Sequence, residues 1–302
     1  MRGMYTTPSF ILHSSWIWLV LAIASSLISA QNVEANRRAK QEGFRLNLWR
    51  MTIAALFWLP LALLQPWPTD WLFYAAAIFG GVALIIGFTI QNDLATKHNG
   101  RVAILYLPLK AVLVFLLWAC IDANARAHIF ARPLVTLGVM GCLGVMVFAL
   151  AEFRKNDVSW SSFRAVLPVV AVYGMGDLLA RLSVTPEGLQ AQLIVFLFIV
   201  ALTSAVTSLM LWHWRPKPGL PLMTKKLARH GMRAAVSSVV NQMCFFMALV
   251  LGPSPAYVSM VALLAPVWLL VYHRVAGIKD DANPLAGTLL VFAAIVLMVL
   301  VA

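Results

Sequence analysis

The sequence has little charge of either sign. Asp, Glu, Lys and Arg make up 11% of its 302 residues, and only 11 residues are acidic. A soluble domain carries about 25% charged residues, so this composition excludes a soluble globular protein. The net charge of +12 comes from basic residues that fall between long apolar runs. That position is typical of membrane topology signals, so we expect membrane lipids as partners and no nucleic acid.

Cysteine and the common catalytic motifs are also scarce. The three cysteines, Cys120, Cys142 and Cys244, lie singly in apolar runs, so we expect neither a metal site nor a disulfide framework. The glycines of GVMGCLG at 138–144 follow no strand and precede no lysine, which excludes a phosphate-binding loop. We instead expect Gly141 to contact another helix backbone closely. The sequence predicts no enzyme, no cofactor and no removable signal peptide.

Apolar runs of about 20 residues, the length that crosses a bilayer as a helix, fill most of the chain. They predict an all-α integral membrane protein with ten transmembrane helices. The polar stretch 213–233 is interpreted as the connector between the seventh and eighth spans. The predicted spans are 16–33, 46–64, 71–91, 102–120, 134–151, 163–182, 189–212, 234–251, 257–275 and 285–302.

The two halves of the chain repeat weakly. Residues 1–152 form the first predicted five-helix repeat and 153–302 the second. Asn32 then matches Gly176, and Lys110 falls close to the position of Pro266. Pro108 and Pro266 are expected to break corresponding helices of the two halves. Because five is an odd number, the second repeat must enter the membrane inverted. Inverted repeats are typical of transporters, whose substrate site lies near the membrane midplane between the repeats.

One intramembrane charge stands at the centre of the sequence interpretation. Lys110 lies in the middle of the apolar stretch 99–120, two residues after Pro108. A charge at that depth indicates a transport pathway or a ligand site. The alternative is that the lysine forms an ion pair with a purely structural role inside the helix bundle. Asp177 is the natural counter-ion, and Arg181 shares its helix face. We expect Lys110 and Asp177 to face a central, water-accessible cavity.

The remaining candidate substrate-binding residues are weaker. Tyr106 lies one helical turn before Lys110 and is predicted to share its face. Arg50 begins the second span, where snorkelling to the headgroups is the alternative to lining a cavity. The amide side chains could contact substrate or simply bond across helices. These amide candidates are Asn32, Gln91, Asn241 and Gln242.

Several stretches resemble a known transporter family. They are NLWRMTIAALFWLPLAL with Arg50, ALVLGPSPAYVSMVALLAPVWLLVYHRV with Pro266, and the ending NPLAGTLLVFAAIVLMVLV with Gly287. The chain resembles the drug/metabolite transporter superfamily, specifically the ten-helix EamA-type permeases. The resemblance implies two inverted five-helix repeats around a central cavity and transport of small molecules without ATP hydrolysis. The chain departs from the family at Lys110, where a proline is common.

The leading hypothesis is a secondary transporter, with export favoured, for a small organic metabolite or drug in the bacterial inner membrane. A homodimer is compatible with it. One alternative is a lipid-linked carrier or flippase that binds a phosphate headgroup through basic residues. A third possibility is a non-transporting partner subunit, which would have no cavity. Lys and Arg counts place both termini outside, whereas the resemblance implies both in the cytoplasm.

Overall fold

The protein is helical throughout the part described here by a computed structural model. That part comprises residues 16–97, 106–123, 126–127, 131–157, 160–214, 221–222, 224–277 and 284–301. It contains eleven helices and no strand. They are α1 Ile17–Ala39, α2 Gly43–Leu63, α3 Trp71–Lys97, α4 Tyr106–Ile121, α5 Pro133–Asp157, α6 Trp160–Ser183, α7 Leu189–Trp214, α8 Lys225–Leu251, α9 Pro255–Val261, α10 Leu264–Val275 and α11 Pro284–Val301.

Seven helical segments are long and apolar enough to cross a membrane: α1, α2, α3, α6, α7, α8 and the combined segment Pro255–Val275. Two shorter apolar helices are Tyr106–Ile121 and Pro133–Met146. A helix can span lipid because its backbone N–H and C=O groups form hydrogen bonds with one another and need no water. The protein is therefore an all-α, membrane-embedded protein. Residues 102–105 of the predicted fourth span lie outside the described residues.

The eighth predicted span begins too late in the sequence. The structure starts α8 at Lys225, where the Thr224 side chain accepts a hydrogen bond from the Leu227 backbone N–H at 3.1 Å. The basic residues after this N-cap are therefore helical, whereas the sequence interpretation placed them in a connector. Hydropathy missed the first turns because they are amphipathic, with polar residues on one face.

The predicted ninth span is interrupted. Helix α9 ends at Val261 and α10 begins at Leu264. Pro266 explains the break, because a proline donates no backbone hydrogen bond and its ring clashes with the carbonyl four residues earlier, here that of Ala262. The sequence prediction that Pro266 breaks its helix is confirmed.

Helix pairs build the core around α7, the most deeply buried of the seven long segments. Helix α7 packs on α2 and α3, and α2 also packs on α8. Helix α1 packs along α8 and α10, while α6 packs along α3 and α4. Helix α11 lies along α5. The functional side chains described below project from the surfaces where α1, α8 and α10, and α3, α4 and α6, face one another.

Gly141 of α5 does not behave as the sequence predicts. It is exposed, and a Cβ added to it would meet no atom of the described residues within 4 Å. The expectation that Gly141 contacts another helix backbone is therefore wrong. The close approach occurs at Gly81 instead, where an added Cβ would lie 2.7 Å from the Val200 carbonyl oxygen and 2.7 Å from the Thr203 Cβ of α7. Glycine spacing alone does not show which face of a helix is packed.

Gly81→Ala should lower the free energy of unfolding by about 1–3 kcal/mol, because the new methyl overlaps a backbone atom that has no rotamer to relax into. Gly141→Ala is the matched control. It adds the same methyl in open space, where alanine favours a helix by up to about 1 kcal/mol relative to glycine. Denaturant unfolding in detergent measures both variants. The free energy of unfolding should fall for Gly81→Ala, and it should rise or stay the same for Gly141→Ala. Equal losses would contradict the packing at Gly81.

Candidate functional site

A buried ion pair joins α4 to α6. Lys110 Nζ lies 2.7 Å from Asp177 Oδ2, and the two residues are 4% and 6% exposed. Ser259 of α9 donates a second hydrogen bond to the same carboxylate oxygen at 3.4 Å. The Lys110 ammonium also lies 4.8 Å from the centre of the Phe245 ring of α8. Each charge is therefore neutralised inside the bundle by its partner, as a charge away from water requires.

Aromatic rings extend from this ion pair toward α3. The ring of Tyr106, one turn before Lys110, lies 5.3 Å from the ring of Tyr173 on α6, and Tyr173 in turn lies 5.9 Å from Phe88 on α3. The side chain of Gln91 interacts with the Tyr106 hydroxyl. Gly87 lets the Tyr173 ring rest directly on the α3 backbone, since an added Cβ there would overlap the ring. Tyr106 and Gln91 thus lie together, as part of one packed layer.

A pocket of about 530 Å³ opens between α1, α8 and α10. Its apolar wall includes Leu27 and Leu269, and its polar wall combines amide, hydroxyl and charged side chains. A volume of this size accommodates a small organic molecule. The polar lining residues are Gln31, Asn32, Glu34, Asn36, Arg38, His230, Arg233, Ser237 and Tyr272.

Glu34 organises the charges on this pocket wall. Its carboxylate accepts hydrogen bonds from Arg37 and Arg38 at 2.7 Å, and its Oε2 lies 3.3 Å from His273 Nε2 of α10. Arg38 also donates to the Tyr272 hydroxyl. Because one carboxylate faces two guanidinium groups, this wall keeps an excess of positive charge, to which Arg233 of α8 adds.

A hydrogen-bonded layer closes the inner end of the pocket. Ser25 and Ser29 of α1 donate to Asn241 Oδ1 of α8 at 2.8 and 3.4 Å. Trp268 of α10 lines the pocket, and its indole N–H donates to Ser26 Oγ at 2.9 Å. These contacts hold α1 against both α8 and α10, and we call them the serine layer.

The order of side chains along α8 places the ion pair beyond the serine layer. Arg233, Ser237, Asn241 and Phe245 follow one another at four-residue steps, so they share one face of the helix. Arg233 and Ser237 line the pocket, Asn241 belongs to the serine layer, and Phe245 faces Lys110. The pocket, the serine layer and the ion pair therefore follow one another along α8.

The expected contact of Lys110 and Asp177 with a water-accessible cavity is not met at the pocket between α1, α8 and α10. Both residues are buried against each other, and neither lines that pocket. The predicted pairing of the two residues is confirmed by their 2.7 Å contact. Asp177 uses Lys110 and not Arg181, whose guanidinium instead bonds the carbonyl of Val250 at the end of α8.

The other candidates are scattered. Asn32 lies on the pocket wall, and Asn241 lies in the serine layer. Gln242 is buried, and neither polar atom of its amide has a hydrogen-bond partner among the described residues. Arg50 is buried on α2, where its Nη2 donates to Asn47 Oδ1 at 2.7 Å. It does not snorkel to a headgroup as one alternative expected.

Sequence reasoning missed the part of the pocket wall that α8 contributes. His230 and Arg233 were assigned to a connector, so they were not considered as lining residues. A signal was present, because His230, Arg233 and Ser237 are spaced by three and four residues and therefore share one face if α8 is extended backward.

Comparison with known proteins supports the fold. No protein-family model and no curated protein matches the chain. Among solved structures, one described only as "Crystal structure of protein" is 16% identical, covers 94% of this chain and 97% of its own, and superposes with a TM-score of 0.63. At this identity the match concerns the arrangement of the helices alone.

Proposed function

We propose that the protein is a secondary transporter of a small organic metabolite or drug that works by alternating access in the bacterial inner membrane. The observation that carries the proposal is the closed serine layer between an open pocket and a buried ion pair. A carrier needs a site that is open on one side and sealed from the other. A partner subunit without transport would need no pocket of this size.

The pattern of helix contacts supports ten spans in two inverted repeats, as in the EamA-type permeases that the sequence resembles. With α9 and α10 taken as one segment, each segment of the first half has a counterpart five segments later in the second half. The α1–α8 pair then maps onto α6–α3, the α2–α8 pair onto α7–α3, and the α1–α10 pair onto α6–α4. The α2–α7 and α5–α11 pairs map onto themselves. A two-fold axis between repeats of five would produce this exchange.

In the proposed cycle the serine layer is the closed gate. Its three hydrogen bonds are between neutral groups, each worth only about 0.5–1.5 kcal/mol, so α1 can part from α8 and α10 at moderate cost. The interruption between α9 and α10 gives the ninth segment a place to bend without breaking further backbone hydrogen bonds. Parting of the layer would connect the pocket with Lys110 and Asp177.

Cysteine labelling would test the gate. In a chain whose native cysteines are replaced by alanine, Ser237→Cys places a thiol on the pocket wall and Ser259→Cys places one beside Asp177, where the side chain is fully buried. A membrane-impermeant methanethiosulfonate reagent should label Ser237→Cys quickly and Ser259→Cys slowly, because only the first is in contact with water. The two substitutions are chemically identical, so each controls the other.

Transport itself is tested in proteoliposomes with a panel of radiolabelled metabolites, with and without a pH gradient. We expect saturable uptake of at least one compound and faster labelling of Ser259→Cys while that compound is transported. Equal labelling of both cysteines in resting protein would contradict the closed gate. Movement of fluorescent phospholipid between leaflets, with no uptake of soluble compounds, would favour the lipid flippase instead.

A further inference from the structure

Arg50 is a buried cation to which no carboxylate of the described residues is paired. It is 3% exposed, and its guanidinium bonds an amide oxygen. Two other cations of the predicted spans already have partners, since Lys110 binds Asp177 and Arg181 binds the Val250 carbonyl. An ionised side chain buried in this way is costly unless a counter-charge and hydrogen-bond acceptors reach it.

The contacts that Arg50 does make leave part of its guanidinium available. Its Nη2 donates to Asn47 Oδ1, and its Cζ stacks 3.3 Å from the centre of the Phe88 ring. Its Nε is buried and has no hydrogen-bond partner. Stacking on a ring face holds the planar group in one orientation, and the edge of a fixed guanidinium is suited to carboxylate and phosphate oxygens.

Four further buried polar atoms near this group lack partners within the described part of the chain. They belong to α2, α3 and α6, and they are Asn47 Nδ2, Thr89 Oγ1, Asn92 Nδ2 and the Tyr173 hydroxyl. The two amide nitrogens and Arg50 Nε can only donate hydrogen bonds, and the two hydroxyls can also donate. The set therefore offers a positive charge and up to five hydrogen-bond donors, which together are suited to binding a group with several acceptor oxygens.

The packing of α2 and α6 on α3 brings these atoms into one seam. Gly43, one turn before Asn47, lies against α3 so closely that an added Cβ would be 2.5 Å from the Thr89 carbonyl and 3.0 Å from the Asn92 Cβ. Tyr173 rests on Gly87, and its ring lies 5.9 Å from the ring of Phe88, on which Arg50 stacks. Asp93, an acid on this seam, accepts the Gly43 backbone N–H at 2.9 Å.

The seam adjoins the pocket. Asn36 lines the pocket on one side and, on the other, donates to Asn92 Oδ1 at 2.6 Å. One hydrogen bond thus separates the pocket from the unpartnered Asn92 Nδ2.

From this arrangement we propose that Arg50, Asn47, Asn92 and Tyr173 form an oxyanion-binding site that takes a carboxylate or phosphate group. The site itself does not depend on transport. If the protein transports a substrate through the pocket, as proposed above, this site selects an organic anion as that substrate. Lys110 and Arg181, the other basic candidates for headgroup binding, are occupied and take no part.

The test measures the thermal unfolding of the full chain in neutral detergent against increasing sodium acetate or sodium phosphate, with sodium chloride at equal ionic strength as the control. A ligand that binds only the folded state raises the unfolding temperature in a concentration-dependent way. We expect acetate or phosphate to do so beyond the effect of chloride. Arg50→Gln should weaken that binding by about ten- to a hundredfold, the effect of losing a charged hydrogen bond.

Matched variants keep the proposal falsifiable. Tyr173→Phe removes one donor while preserving the ring contacts, and it should weaken anion binding even if Arg50→Gln folds poorly. Arg181→Gln removes a half-buried guanidinium outside the seam and should bind anions as the wild type does. Without added anion, Arg50→Gln should unfold at a higher temperature than the wild type, because an uncompensated charge is gone. Equal anion stabilisation of the wild type, Arg50→Gln and Tyr173→Phe would overturn the site.

The source of the oxyanion is distinguished in nanodiscs. A higher unfolding temperature in phosphatidylglycerol than in phosphatidylcholine would assign the site to a lipid headgroup. For that assignment the difference must disappear in Arg50→Gln, and acetate and phosphate must have no effect. Stabilisation by the soluble anions assigns it to a free ligand. Anion binding without any uptake in proteoliposomes would refute the proposed transport and keep the site. Uptake that is indifferent to Arg50→Gln, with no anion binding, would refute the site and keep the transport.

Discussion

Lys110→Met should destabilise the protein by about 3–5 kcal/mol, the usual cost of removing one member of a buried ion pair. Methionine preserves most of the stem of Lys110 but leaves the Asp177 carboxylate inside the bundle, with only the Ser259 hydroxyl as a hydrogen-bond partner among the contacts of the intact pair. The loss comes from this stranded charge and not from lost packing.

The double variant Lys110→Met/Asp177→Asn separates these causes. It removes both charges at nearly constant volume, so most of the stability should return, since neutral replacement of a buried pair is often neutral or stabilising. Equilibrium unfolding in detergent of the two single variants, the double variant and the wild type completes a double-mutant cycle. Lys226→Met is the matched control, because Lys226 is exposed in the first turn of α8 and should change stability by less than about 0.5 kcal/mol. Additive losses in the double variant would show that the two charges are not coupled.

Transport by the folded double variant should fall about ten- to a hundredfold below the wild type, if the charges contact substrate or couple to its movement. A charged hydrogen bond is worth about 1.5–3 kcal/mol, and each 1.36 kcal/mol corresponds to a tenfold change in rate. Because the double variant retains the fold, lower uptake cannot be attributed to loss of protein. Initial uptake rates in proteoliposomes, normalised to reconstituted protein, measure this effect.

The result decides between two roles for the ion pair. A transport rate equal to that of the wild type in the double variant would assign Lys110 and Asp177 a purely structural role, holding α4 on α6. Ser237→Ala is a control on the pocket wall, since it removes a hydroxyl there and leaves the charge pair intact. A fall in rate confined to the double variant would identify the ion pair, and not the pocket alone, as part of the transport path.

Local sequence rules predicted the elements of this fold better than their packing. Apolar runs identified the membrane helices, because only a helix satisfies its own backbone in lipid. Pro266 predicted the break before α10, since the effect of a proline is local. The start of α8 was placed too late, because its first turns are amphipathic and an average over the run hides one polar face. Gly141 was predicted to be packed and is exposed, because spacing shows which residues share a face but not which face meets another helix.

The sequence by itself determined that this chain is membrane-embedded and helical, and it predicted that a lysine and an aspartate in different spans are counter-ions, since an isolated charge in lipid is too costly. Only the tertiary structure decided that the pair is buried away from the pocket, because this depends on contacts between side chains far apart in the chain, such as those of the serine layer, which are more than 200 positions apart. The same holds for Arg50. Its isolation from any acid, and the donors gathered around it from α2, α3 and α6, depend on how three helices pack, which composition and hydropathy do not encode.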